Sequence, residues 1–174
     1  MAIVPDTKDW TWTARKVCPE CGFDPAAISD GEVGAHVRAL AARWPAVLER
    51  PDVRDRPDAS TWSPLEYACH VRDVFALYRH RLGLMLDEDG PTYPNWDQDA
   101  TANAERYSEQ DPGAVSEQLA REAALVAAAF DAVPADQWTR TGRRSDGASF
   151  TITTFSRYFL HDAAHHLHDV GVRV

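Results

Sequence analysis

Four stretches of this 174-residue chain repeat apolar residues at steps of three and four, and hardly any alternates them at steps of two. A chain patterned this way has to bury helix faces against one another, which is an all-α arrangement. The sharpest start is Ser63-Pro64-Leu65-Glu66, which joins a capping serine, a proline at the first helical position and a glutamate at the third. Ala68, Val71, Phe75, Tyr78, Leu82 and Met85 then carry one apolar stripe to about Leu86. Asp111-Pro112 repeats the start signal, and Val115, Leu119, Ala123, Val126, Phe130 and Val133 mark a helix ending before Pro134. An earlier helix is expected from Ser29, where Ser29 and Glu32 have capping-box spacing; Val33, Val37, Leu40, Trp44 and Val47 form its stripe, and Pro45 should kink or split it. The last helix is read from about Thr153 to Asp169, with Gly171 as its stop.

The connections are unequal. Residues 1–28 lack helical periodicity and read as an arm that packs over the core through its aromatics, leaving 29–174 for the bundle within a single domain. Residues 87–110 are acidic and too long for an ordinary bundle connection, which suggests a functional loop. Asp146-Gly147 between Trp138 and Thr151 has the pattern of a small hairpin before the last helix.

A net charge of −9 argues against nucleic acid or an anionic membrane as the main partner. The longest apolar run, Ala123 to Phe130, is far short of the roughly 20 residues that a membrane span needs. The first ten residues show no basic leader followed by an apolar run, so a cytoplasmic protein in a reducing compartment is expected.

Of seven histidines, His161, His165, His166 and His168 crowd into the last helix. His161 and His165 are four apart, so on a helix they project from one face and can bind one metal ion. Zinc and similar ions need at least three protein ligands, and a catalytic site keeps a further position open. His70, mid-helix beside a buried stripe, is the best third candidate, and bundle cores build metal sites from facing helices in this way. On the same reading His166 and His168 are solvated, His36 and His80 are surface or packing residues, and Asp162 and Asp169 orient a histidine or cap the helix end.

The three cysteines make no disulfide framework. Cys18 and Cys21 in CPECG resemble half of a zinc ribbon whose other half is missing, so they read as a structural turn with packed thiols or, less simply, as a redox pair. Cys69 reads as core filling. Arg140, Arg143 and Arg144 can hold a carboxylate bidentately or simply face solvent. Tyr93, Trp96 and Tyr107 read as anchors of the long loop.

The stretches WSPLEYACHVRD, Trp62 to Asp73, and YFLHDAAHHLHDV, Tyr158 to Val170, resemble the two signature regions of the DinB/YfiT-like superfamily. The acidic NWDQD loop and the DG hairpin stand between them in the expected order, and the CPECGFD arm looks like an extension found in an actinobacterial-type branch. The resemblance implies a four-helix bundle of up-down-down-up topology that binds a divalent metal through three histidines, matched here by His70, His161 and His165. It also implies zinc, with nickel as the other choice, because the all-histidine version of the site applies.

Characterised members of the superfamily include transferases and isomerases that use a low-molecular-weight thiol, namely mycothiol, bacillithiol or glutathione. The implied function is a metal-dependent thiol S-transferase, with mycothiol or a related thiol as cosubstrate, an electrophilic small molecule as substrate and a homodimer as the default assembly. The rival expectation is a non-catalytic metal-binding or stress-response protein that binds a ligand or partner. A transferase needs an open metal position beside a roomy pocket, whereas a structural site is closed by a fourth protein ligand.

Overall fold

The computed structural model describes residues 8–173, so residues 1–7 of the expected arm, with the start of the chain on which the leader reading rested, lie outside the described residues. Six α-helices run through it: α1 (Val33–Ala41), α2 (Trp44–Leu48), α3 (Pro64–Asp87), α4 (Gln98–Ala104), α5 (Pro112–Asp131) and α6 (Ile152–Asp169). No helix among the described residues is long and apolar enough to cross a membrane. The core of the bundle is α3 packed on α5, with α1 on α5 and α6 against both α3 and α1. Phe159 of α6 stacks on Tyr78 of α3 at 4.8 Å and on Phe130 of α5 at 5.6 Å, centroid to centroid, tying three helices through one ring.

The strongest start signals act as the sequence leads one to expect. Ser63 and Glu66 form a reciprocal capping box at the head of α3, and the Asp111 carboxylate accepts the Ala114 amide at the head of α5. The helix from Ser29 is split: α1 ends at Ala41 and α2 begins at Trp44, with Pro45 in the first turn of α2, where its missing N–H costs nothing. The expected Ser29 capping box is not formed. The chain enters α1 through a 3-10 turn, Asp30–Glu32, in which the Glu32 amide bonds the Ser29 backbone carbonyl and takes no side-chain cap. At the other end Gly171, at φ +76°, closes α6, with the Val172 amide on the Leu167 carbonyl.

The long acidic connection is more ordered than a loop. It holds α4 and a two-residue strand, β1 (Thr92–Tyr93), which pairs in parallel with β2 (Thr141–Arg144); β2 then pairs antiparallel with β3 (Ser149–Thr151). The expected hairpin is therefore two strands of a three-stranded sheet, and its third strand is supplied by the connection. Tyr93 and Tyr107 are buried anchors, as expected, and Arg140 binds the Met85 and Glu88 carbonyls at the end of α3. Cys69 fills the core, where burial pushes its thiol up to about 12.

Candidate metal centre

Strand β3 feeds directly into α6 through Thr151 and Thr154, each of whose hydroxyls accepts the other's amide. That junction fixes the rotation of α6. Successive helical residues are turned by about 100°, so the run His161, Asp162, His165, His166 presents two ligand pairs at four-residue spacing on adjoining faces. His161 and His165 face the N-terminal arm, and Asp162 and His166 face α3 and His70.

The three expected ligands are thus divided between two groups. His70 is brought together with Asp162 and His166, one donor atom of each lying within 4.8 Å of the others. His161 and His165 are gathered in the same way with Cys18 and Cys21. His168 is exposed, as expected, but His166 is not solvated: its Nε2 stands 3.2 Å from Asp162 Oδ1 and its Nδ1 2.9 Å from Asp169 Oδ2.

His70 is buried against two indoles. Trp96 stacks on its ring at 5.2 Å with the planes 10° apart, and Trp62 packs against it at 5.2 Å with its plane tilted by 53°. Trp96 is therefore a wall of the site as well as an anchor of its loop. Neither nitrogen of His70 has a hydrogen-bond partner, and Nε2 stands 3.8 Å from Asp162 Oδ2. A buried polar group left unsatisfied is costly, and a cation between His70, Asp162 and His166 would satisfy it. Two imidazoles and a carboxylate are a donor set that zinc, nickel and iron all accept. Asp169 completes the arrangement from behind: it takes the Nδ1 proton of His166 and leaves Nε2 to face the centre.

The charges follow from these contacts. Burial pulls the His70 imidazole below its ordinary value. Burial also opposes charge on His166, but bonds to Asp162 and Asp169 outweigh it and lift that imidazole to about 9; a metal ion has to displace its proton. Burial pushes the Asp162 carboxyl up, while its bond to His166 and the nearby His70 ring win and hold it well below the usual carboxylate range.

The group lies at the floor of a cleft of about 660 Å³, walled in part by Trp10, Trp96, Arg81, Arg144 and Tyr158. Arg144 is held there by Asp146, with the Tyr158 hydroxyl 3.4 Å away, rather than turned to solvent.

The sequence matches the DinB superfamily over residues 35–170, so the chain belongs to that superfamily. Among solved structures it is similar to a Bacillus subtilis protein described as "YfiT from Bacillus subtilis is a probable metal-dependent hydrolase with an unusual four-helix bundle topology". The two are 17% identical and superpose with a TM-score of 0.72 over 82% of this chain and 86% of that one, which shows a shared fold. No curated protein matches this sequence.

Sequence reasoning missed Asp162 and His166 as a pair. The signal was present, since they stand at the same four-residue spacing as His161 and His165 but one position on. Periodicity alone does not say which pair looks at α3; the Thr151–Thr154 junction and the buried Phe155, Phe159 and Ala163 do.

Proposed function

We propose that His70, Asp162 and His166 hold a catalytic divalent ion and that the protein is a metal-dependent enzyme acting on small molecules in the cleft above it. The observation that carries this reading is an orphaned, fully buried histidine pointing at a carboxylate and a second histidine on the floor of a large cleft. Asp162 takes the place of a third histidine, so the site is the carboxylate version rather than the all-histidine one. A divalent ion bound there would act as a Lewis acid and lower the pKa of a water or thiol in its open position. Asp169 fixes the His166 ring, Trp62 and Trp96 keep bulk water from His70, and the cleft orients the reactants.

Among the described residues no fourth ligand closes this group, which favours catalysis over a purely structural ion. The cleft's volume sits inside the range of small-molecule sites. The finer reading is a thiol S-transferase in which a low-molecular-weight thiol such as mycothiol attacks an electrophilic substrate. A cytoplasmic homodimer with the up-down-down-up bundle order belongs to the same reading. Hydrolysis is the second reading, and what favours it is the description given to the B. subtilis protein.

The test is to supply metal-loaded protein with mycothiol or glutathione and a haloaromatic electrophile, and separately with ester and amide substrates without thiol. Conjugation that disappears in His166→Ala, together with the ion at the His70 group, is the expected result. Turnover of esters or amides with no response to thiol would replace the transferase by the hydrolase, and full conjugation by a metal-free His166→Ala protein would overturn the metal reading itself.

A further inference from the structure

The second group on α6 shares no donor with the His70 group, although His161 and His165 also line the cleft, and it has a different chemistry. Cys18 and Cys21 sit on a tight loop in which the Cys18 amide bonds the Phe23 carbonyl and the Gly22 amide bonds the Cys18 carbonyl, both at 2.9 Å. Gly22 has φ +78°, a conformation that lets the loop fold back on its own cysteines. The loop is set against α6 so that Cys18 Sγ is 3.7 Å from His165 Nδ1, and one donor atom of each of Cys18, Cys21, His161 and His165 lies within 4.8 Å of the rest. His161 Nε2 is buried there without a hydrogen-bond partner. The other nitrogen of His165 faces Glu20 and Asp169 carboxylates at 3.6 and 3.7 Å, so its outer side has acceptors to orient the ring.

We propose that Cys18, Cys21, His161 and His165 form a closed tetrahedral zinc site that fastens the N-terminal arm to α6. Zinc–sulfur bonds of about 2.3 Å and zinc–nitrogen bonds of about 2.0 Å at a tetrahedral angle bring a sulfur and a nitrogen about 3.5 Å apart, close to what Cys18 and His165 already show. Four protein ligands leave no open position, which is the mark of a structural ion. Both thiols release their protons to solvent when the ion binds, and the two thiolates cancel its charge beside two neutral imidazoles. The surroundings suit that state. Trp10 packs on the rings of His161 and His165 at 5.6 and 5.0 Å, and Phe23 covers His161 from the edge at 5.7 Å. Because Asp162 and His166 lie on the next face of α6, the zinc would also brace the helix that forms one wall of the cleft.

Cobalt(II) separates this site from the catalytic one, because only thiolate ligands produce thiolate-to-cobalt charge-transfer absorption and the His70 group has none. The experiment loads the full chain with cobalt and, in parallel, with zinc, as wild type, Cys21→Ser, Cys18→Ser/Cys21→Ser and His166→Ala. The wild type is expected to show the charge-transfer band and to bind one more zinc per chain than the cysteine variants, while His166→Ala keeps the band. Cys21 is only half buried, so its serine variant keeps the arm's packing, and the wild-type spectrum needs no variant at all. A wild type without the band, or cysteine variants with unchanged zinc content, would overturn the proposal and leave the His70 site untouched.

Discussion

Asp169 bears on the His70 group through His166, whose Nδ1 it holds at 2.9 Å. Removing such an outer carboxylate lets the ring turn and lowers its basicity, so Asp169→Ala should weaken metal binding at the His70 site about 10–100-fold. Competition with a chromogenic chelator measures this, and an unchanged affinity would contradict the assigned role. Glu66 is a second residue whose environment sets a measurable property. Its carboxylate is buried and accepts from Arg56 Nε at 2.8 Å and from the Ser63 amide and hydroxyl at 2.9 and 2.8 Å. Burial raises its pKa, but these bonds outweigh that and hold it below the ordinary value of 4.5. A carboxyl depressed by folding stabilises the protein fully above its unfolded pKa and loses that contribution as pH falls through the folded value. Glu66→Gln should therefore cost about 1–3 kcal/mol at pH 7 and much less well below pH 4. Urea unfolding at the two pH values checks it, with equal losses at both as the failing result. Ser63, Pro64 and Glu66 were legible as a cap from spacing alone; Arg56 was not, because its link to Glu66 depends on how the connection after α2 folds back.

Between elements, α1 packs tightly on α5 at Gly34. A Cβ built on Gly34 would lie 2.8 Å from the Ala127 carbonyl oxygen and closer still to the Asp131 carboxylate, which also pairs with Arg38. Gly34→Ala must push the helices apart or break that ion pair, so a loss of about 1–3 kcal/mol is expected, seen as a lower Tm. A more stable variant would show that α1 is free to shift. The apolar stripes of α1, α3, α5 and α6 were readable because each keeps its period over several turns. The strand β1 and helix α4 were not, since one is two residues long and the other has no buried residue to leave an apolar pattern. The site was half legible for a related reason. His70 and the ligand-rich face of α6 follow from spacing, but His161–His165 and Asp162–His166 have the same period and differ only by one step of rotation. Tertiary packing decides between them, through Phe155 and Phe159 turned into the core. The cysteine turn reads from sequence as structural packing, because the other half of a zinc motif is missing; His161 and His165, which the fold brings beside it, lie over a hundred residues away.

At the scale of the molecule, one helix carries both groups, so the arm, the cleft and the bundle share α6 as a common wall. An ion that binds only the folded chain stabilises it in proportion to the logarithm of its excess over Kd, about 2.7 kcal/mol at a hundredfold excess. Chelation should accordingly lower the Tm of the wild type by several degrees and that of Cys21→Ser by less, because the variant has one ion fewer to lose. Equal shifts would mean that the cysteines hold no ion. Anomalous diffraction from crystals of the metal-loaded protein tests whether an ion sits between α3 and α6 on His70, Asp162 and His166. An anomalous peak bonded to those three side chains and open toward the cleft is expected, with a separate peak at Cys18, Cys21, His161 and His165. A peak shared by His70, His161 and His165, or none beside His70 in crystals soaked with excess metal, would contradict that placement.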